Sequence, residues 1–359
     1  MQFVHESLPG RVVFGPGSRA RVADETDRLG LTRVYLISDT AATATGKELA
    51  ELLGPRLAAH WTEVAQHVPV ELAERARAAV DEAGADGIVT VGGGSSTGLA
   101  KAIALSHRLP IVAVPTTYAG SEQTPIYGLT GGRHKQTGRD LVVLPRTVVY
   151  DPELTVVLPP SVTGPSSFNA LAHSIEALWV PEENPVTTAL ALEAVRAIAG
   201  SLARAMTAPD DLDARSALLY GAYLSGIALA STSTGLHHKL THVLGGTFGL
   251  VHADTHSVVL PHAVAFNGPT APALMARLAD ALGVPGDDPA GALFDVATVS
   301  GVPTSLATLG LTEDDLPEAA ARAAVEITAN PRPVGEADLL RILRAAHAGI
   351  RPMLDPIDI

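Results

Sequence analysis

Short, largely apolar runs alternate with amphipathic stretches through the first 150 residues of the chain. Residues 33–37 (RVYLI), 87–91 (GIVTV) and 111–114 (IVAV) are too short for helices and nearly free of polar alternation. That is the pattern of strands buried on both faces. Between them, apolar residues three and four apart predict helices over 46–57, 70–83 and 96–106. Such strands separated by helices predict a parallel sheet covered on both sides. We read residues 1–157 as a doubly wound, Rossmann-like α/β domain.

The pattern changes near Ser161. Strand signals fade, and helical spacing recurs over 169–180, 187–206, 213–231, 272–282, 316–327 and 336–348. Residues 158–359 therefore read as an all-α domain, with the proline-rich stretch 151–165 as the junction. Two domains are also what the length implies, because 359 residues exceed what one hydrophobic core usually serves.

Composition narrows the class. A formal charge of −13 argues against a nucleic-acid surface, which needs a basic stripe. The chain has no cysteine, so neither a disulfide framework nor a thiolate site is available. The N-terminus lacks the basic start and apolar run of a signal peptide. No run of about 18 uncharged apolar residues is evident, so no membrane span is expected. These features predict a cytoplasmic globular protein.

Candidate chemistry falls in two groups. The strand ending at Val91 leads into Gly92-Gly93-Gly94-Ser95-Ser96-Thr97-Gly98 and then a helix. Glycines there let backbone N–H groups approach a phosphate, and the helix N-terminus adds partial positive charge. Asp39 follows the strand 34–38 and can accept from a ribose 2′-hydroxyl, which favours NADH over NADPH. A helix-capping role for Asp39 fits the sequence equally well. Thr116 and Thr117, after the strand 111–114, offer hydroxyls at the same sheet edge.

The second group is histidine-rich. Six of the 13 histidines (His237, His238, His242, His252, His256 and His262) fall close together. His238 and His242 share a helix face, as do Asn169 and His173. Imidazoles suit iron or zinc, and His173, His238 and His252 can supply three ligands with an open position. Asn169 weakens that reading, because a neutral amide stands where an anionic fourth ligand is expected.

The whole chain resembles the iron-containing alcohol dehydrogenase superfamily, and more closely its maleylacetate reductase branch. The shared landmarks are FGPG (14–17), VGGGSSTGLAKAIAL (91–105), PTTYAGSEQTPIYGLT (115–130), KQTGRD (135–140) and LPRTVVYDPELT (144–155). They continue in NALAHSIEAL (169–178), LHHKLTHVLGGTFGLVHADTHSVVLPHA (236–263) and NPRP (330–333). The resemblance implies a dehydroquinate synthase-like architecture and a homodimer paired through the edge of the N-terminal domain. It places the superfamily's metal-ligand positions on Asn169, His173, His238 and His252. Metal-dependent members have aspartate at the first of these and another in the glycine-rich loop, where this chain has Gly98. Both departures match the branch, so we expect these positions to be vestigial and no metal to be bound.

Members of that branch are similar in reducing an activated C=C bond with NADH or NADPH. The resemblance thus implies reduction of maleylacetate to 3-oxoadipate in the breakdown of aromatic compounds, or of a related enone or keto acid. His173, His238, His242 and His252 are the expected catalytic residues, acting as protonated donors to an enolate. Tyr118, Asn169, Lys135 and Lys239 are the expected substrate residues, and Arg139 is a further candidate carboxylate partner. Asp39, Gly92, Gly93, Gly94, Ser95, Thr116 and Thr117 are expected at the cofactor. Gln123, where the branch commonly has methionine, and Ser166-Ser167-Phe168 are unusual and open the way to a reshaped pocket. The alternatives are a metal-dependent alcohol or polyol dehydrogenase, a dehydroquinate-synthase-like lyase and a nucleotide-sensing module.

Overall fold

Val34–Ser38 (β2), Gly87–Gly92 (β4) and Ile111–Pro115 (β5) are buried along their whole length, as their unbroken apolar runs require. With Arg11–Phe14 (β1), Leu57–Trp61 (β3) and Thr147–Tyr150 (β8) they build a six-stranded parallel sheet. The strand order is β1-β8-β5-β4-β2-β3. The coordinates are a computed structural model describing residues 2–131, 134–284, 286, 288–328 and 330–354. Helices Val22–Arg28 (α1), Thr43–Leu53 (α2), Val70–Ala83 (α3) and Gly94–His107 (α4) accompany the sheet. A hairpin of Ile126–Gly131 (β6) and His134–Arg139 (β7) forms a separate antiparallel pair. Together these make one compact unit, Ser7–Val157, a doubly wound α/β domain.

The chain leaves β2 for β3 on one side and then returns to β4 on the other. The loops after β2 and β4 therefore meet at the carboxyl ends of neighbouring strands, where such sheets bind ligands.

The second unit runs from Leu158 onward and takes in the residues before Ser7. Its helices are Pro160–Glu176 (α5), Pro185–Thr207 (α6), Leu212–Ser231 (α7), Leu236–Phe248 (α8) and His252–Asn267 (α9). Pro272–Leu282 (α10), Pro289–Val299 (α11), Leu316–Glu326 (α12) and Glu336–Ala348 (α13) follow. Leu240, Leu244, Val259, Phe266, Leu339 and Leu343 belong to one buried cluster shared by α8, α9 and α13.

Two expectations change. The helix predicted over 46–57 stops at Leu53, because Gly54 turns the backbone to positive φ and Pro55 follows. Leu57–Trp61 then forms an edge strand, only half-buried and so without a strong apolar signal. In the stretch read as a junction, α5 already begins at Pro160, since proline suits the first helical turn, and Pro165 is carried inside it. Finally, α6 is long and apolar enough to cross a membrane by length and composition. Half of that apolar stretch is buried, and the helix packs against α5, α7 and α10.

The FGPG motif is held by Asp151, which has no exposed surface. Its carboxylate accepts from the backbone N–H groups of Gly17, Arg19 and Glu153 and from the Arg19 guanidinium at 2.9 Å. Asp151→Ala strands these donors, and we expect it to cost about 3 kcal/mol. The check is the urea midpoint of the α/β unit's unfolding; an unchanged midpoint would remove Asp151 from the fold's supports.

Candidate functional site

The glycine-rich loop is shaped by crowding. Gly92 has φ +144°, and a Cβ there would stand 2.3 Å from both Asp39 Oδ2 and Ser96 Oγ. Gly93 precedes α4, whose start has neither a side-chain cap nor an acidic residue in its first turn. Thr117 lies 3.3 Å from where a Cβ of Gly93 would be, and Ala119 3.4 Å from that of Gly94. The Thr116 N–H donates to Gly92 O at 3.0 Å. Ser95 is half-buried at the helix start. Small residues at the start of α4, which has no side-chain cap, suit a pyrophosphate, so the residues present fit a dinucleotide.

Asp39 has a larger structural part than its sequence position suggested. Oδ1 accepts from the Ala42 N–H at 2.8 Å, ahead of α2. Oδ2 accepts from the Ser96 hydroxyl at 2.9 Å and the Gly93 N–H at 3.2 Å. The carboxylate thus staples the glycine loop, and the Gly93 N–H is already engaged. Gly98, which replaces the superfamily's aspartate, lies against Val68, whose Cγ2 would be 2.9 Å from a Cβ. Val68 itself has φ +47°, so a larger residue 98 would press on an already strained turn.

Tyr118 has no exposed surface. Gln123 donates to the Tyr150 hydroxyl at 3.1 Å, which donates in turn to Glu122 Oε1 at 2.7 Å. Gln123 thereby joins a chain of polar side chains within this unit. The side chain of Lys135 lies outside the described residues.

In the helical unit, His173 comes from α5, His237, His238 and His242 from α8, and His252 and His256 from α9. The rings form one group. His173 stacks on His238 with centroids 5.1 Å apart, and His242 stacks on His252 at 5.5 Å. His256 lies 5.0 Å from His238 and 4.4 Å from His252. Its Nδ1 bonds His237 Nε2 at 2.6 Å, and its Nε2 bonds His252 Nε2 at 3.0 Å. Asn169 stands one turn before His173 on α5, half-buried, and Lys239 is half-buried on α8. Ser167 and Phe168 are buried in α5, and Ser167 Oγ donates to Thr163 O at 2.8 Å.

Glu176 organises this group, and it was not among the expected site residues. It is buried at the end of α5, and Oε1 accepts the His237 N–H at 2.8 Å, capping the start of α8. Oε2 binds His238 Nδ1. Gly235, next to the helix start, leaves room for the carboxylate, since a Cβ would stand 3.2 Å from Oε1. With Nδ1 engaged, His238 keeps Nε2 for a ligand; that atom and His173 Nδ1 are buried without partners. The sequence signal was available in His173-Ser174-Ile175-Glu176, where one acid interrupts an apolar helix.

Burial, then the charges of neighbouring histidines, holds His173, His237 and His256 well below the usual histidine range. That holds these rings neutral near pH 7 and weighs against a protonated donor at His173. A neutral imidazole offers one N–H and one lone pair. His262 stands elsewhere on α9, beside Phe266 and Arg341 at a cavity of about 150 Å³.

Asn169 brings no charge to this group, and His252 Nε2 is turned toward His256. Among the described residues, no three His, Asp or Glu side chains are arranged to hold an ion.

Comparison with known proteins defines the class. The iron-containing alcohol dehydrogenase model matches residues 9–152, and the C-terminal model of the Fe-containing alcohol dehydrogenase family matches 163–347. The chain belongs to the iron-containing alcohol dehydrogenase family, in its maleylacetate reductase branch, and is an NAD(P)H-dependent oxidoreductase. It is 48% identical to maleylacetate reductase of Burkholderia cepacia over 351 residues, covering 98% of this chain and 99% of the relative. The crystal structure of maleylacetate reductase from Agrobacterium tumefaciens matches with a TM-score of 0.95 at 43% identity, covering 98% and 100%. That from Rhizobium sp. matches with a TM-score of 0.94 at 42% identity, covering 98% and 99%.

His262 supplies a pH test. Burial pushes its pKa from 6.5 down to about 4, so its contribution to stability is complete above 6.5 and lost as pH falls toward 4. About 2 kcal/mol should disappear between pH 7 and pH 5. Thermal melts of wild type and His262→Asn at both pH values should show a smaller acid loss in the variant. Equal losses would place His262 outside the acid response.

Proposed function

We propose that this enzyme reduces the C2=C3 bond of maleylacetate with NADH, giving 3-oxoadipate. The observation that carries the reading is His238, fixed by Glu176 among the buried rings of His173, His237 and His256, with Asn169 in place of an acid. When bound, the dinucleotide supplies a hydride to the carbon β to the ketone. Charge then develops on the enolate oxygen, and the chain's task is to stabilise it and return a proton to the α-carbon.

We assign that proton to His238 Nε2 of the doubly protonated ring, whose Nδ1–H Glu176 accepts and so fixes; the ring regains its proton from solvent after each turnover. His173 adds a neutral N–H to the enolate, and His242 and His252 orient the substrate. Asn169 avoids the repulsion that a carboxylate would exert on a dicarboxylate, while Lys239, Lys135 and Arg139 are its proposed charge partners. Asp39, Gly92, Gly93, Gly94, Ser95, Thr116 and Thr117 are proposed to hold the dinucleotide. The Asp39 carboxylate disfavours a 2′-phosphate, hence NADH over NADPH.

The same proposal includes a metal-free site, a place in aromatic-compound breakdown and a cytoplasmic setting. It also includes a homodimer formed through the edge of the N-terminal domain.

Maleylacetate-dependent loss of NADH absorbance is the direct test, and no turnover by folded protein would sink the substrate assignment. His238→Ala should lower kcat by about 100-fold. Glu176→Gln should lower kcat by about 10-fold while leaving the KM for NADH near its original value; equal activity would deny Glu176 its orienting part. Activity should also survive chelator treatment. Stoichiometric iron or zinc together with chelator-sensitive oxidation of alcohols would instead establish the metal-dependent alcohol dehydrogenase reading.

A further inference from the structure

Lys101 lies in α4, two turns beyond the glycine loop, and is buried among apolar neighbours. Its ammonium donates to Ser121 O at 2.6 Å, Thr124 O at 2.7 Å, Ile126 O at 2.8 Å and Thr124 Oγ1 at 3.0 Å. Three protons meet four acceptors, so the charge is fully engaged despite its burial. The segment it grips runs from the loop after β5 to the first residue of β6.

Ser121 is the informative member. Its carbonyl is held by Lys101, while its hydroxyl is buried with no hydrogen-bond partner. That hydroxyl lies 3.9 Å from where a Cβ of Gly94 would stand, so it borders the space which Gly94 leaves open at the start of α4. An unpaired buried hydroxyl beside an uncapped helix N-terminus calls for a polar ligand atom.

We propose that Ser121 donates its hydroxyl to a phosphate oxygen of the bound dinucleotide and that Lys101 is the positioning residue that sets it there. This rests on the dinucleotide reading given above. The helix that offers its N-terminus to the phosphate thus also holds, through Lys101, the segment that carries Ser121. Glu122, the next residue, is anchored separately through the Tyr150 hydroxyl at 2.7 Å.

The test is NADH titration of the whole enzyme by fluorescence, with kinetics and thermal melts, for wild type, Ser121→Ala, Thr124→Val and Lys101→Met. Ser121→Ala and Lys101→Met should each weaken NADH binding by about 10-fold, and Thr124→Val by about 3-fold. The change should appear in the KM for NADH, with little change in the KM for the carbon substrate. Ser121→Ala should keep the wild-type melting temperature. Wild-type protein that fails to bind NADH would overturn the dinucleotide reading itself. Wild-type binding with an unaltered constant in Ser121→Ala would leave that reading intact and overturn this proposal. A lower melting temperature with unchanged NADH affinity in Lys101→Met would reduce Lys101 to a structural role. Should Lys101→Met fail to fold, Thr124→Val decides the positioning role: unchanged NADH affinity there overturns it.

Discussion

A buried carboxylate on α5 holds the start of α8, and the helical unit's chemistry depends on that contact. Glu176 gives one oxygen to the His237 N–H and the other to His238 Nδ1. One interaction thus fixes where α8 begins and which nitrogen of His238 is left for a ligand. Removing a buried anion from this place leaves an orphaned N–H and an unanchored ring, a costly combination in a low-dielectric interior. The other histidines pack around the ring so positioned, and burial keeps His173, His237 and His256 neutral.

The α/β unit solves a similar problem with a different carboxylate. Asp39 crosses from the end of β2 to the glycine loop after β4, linking the two strands where the chain reverses direction across the sheet. Gly92 is required because Asp39 and Ser96 already occupy the space of its side chain. In both units a polar group that looks free in the sequence is committed to holding backbone in place. The shape of each site is thereby fixed before any ligand arrives, which is what preorganised stabilisation of developing charge requires.

Much of this was legible in advance. The central strands and the helices over 70–83 and 272–282 followed from apolar periodicity, because fully buried strands and one-sided helices leave strong patterns. The edge strand Leu57–Trp61 and the hairpin β6–β7 did not, since half-buried edges carry mixed residues. Histidine clustering was visible as spacing within one helix, His238 to His242. The approach of His173 from α5 and of His252 and His256 from α9 needed three helices to meet.

The sequence by itself determined the two-part architecture, the glycine loop at a strand end and the concentration of imidazoles, because each is encoded in local order and composition. Only tertiary structure decided what those groups do. It turned Asp39 into a staple, closed Tyr118 inside the fold, tied Gln123 to Tyr150 and brought Glu176 to His238 across 62 positions of chain. The reason is physical: hydrogen-bond commitment and desolvation are set by distant neighbours, which no window of sequence contains.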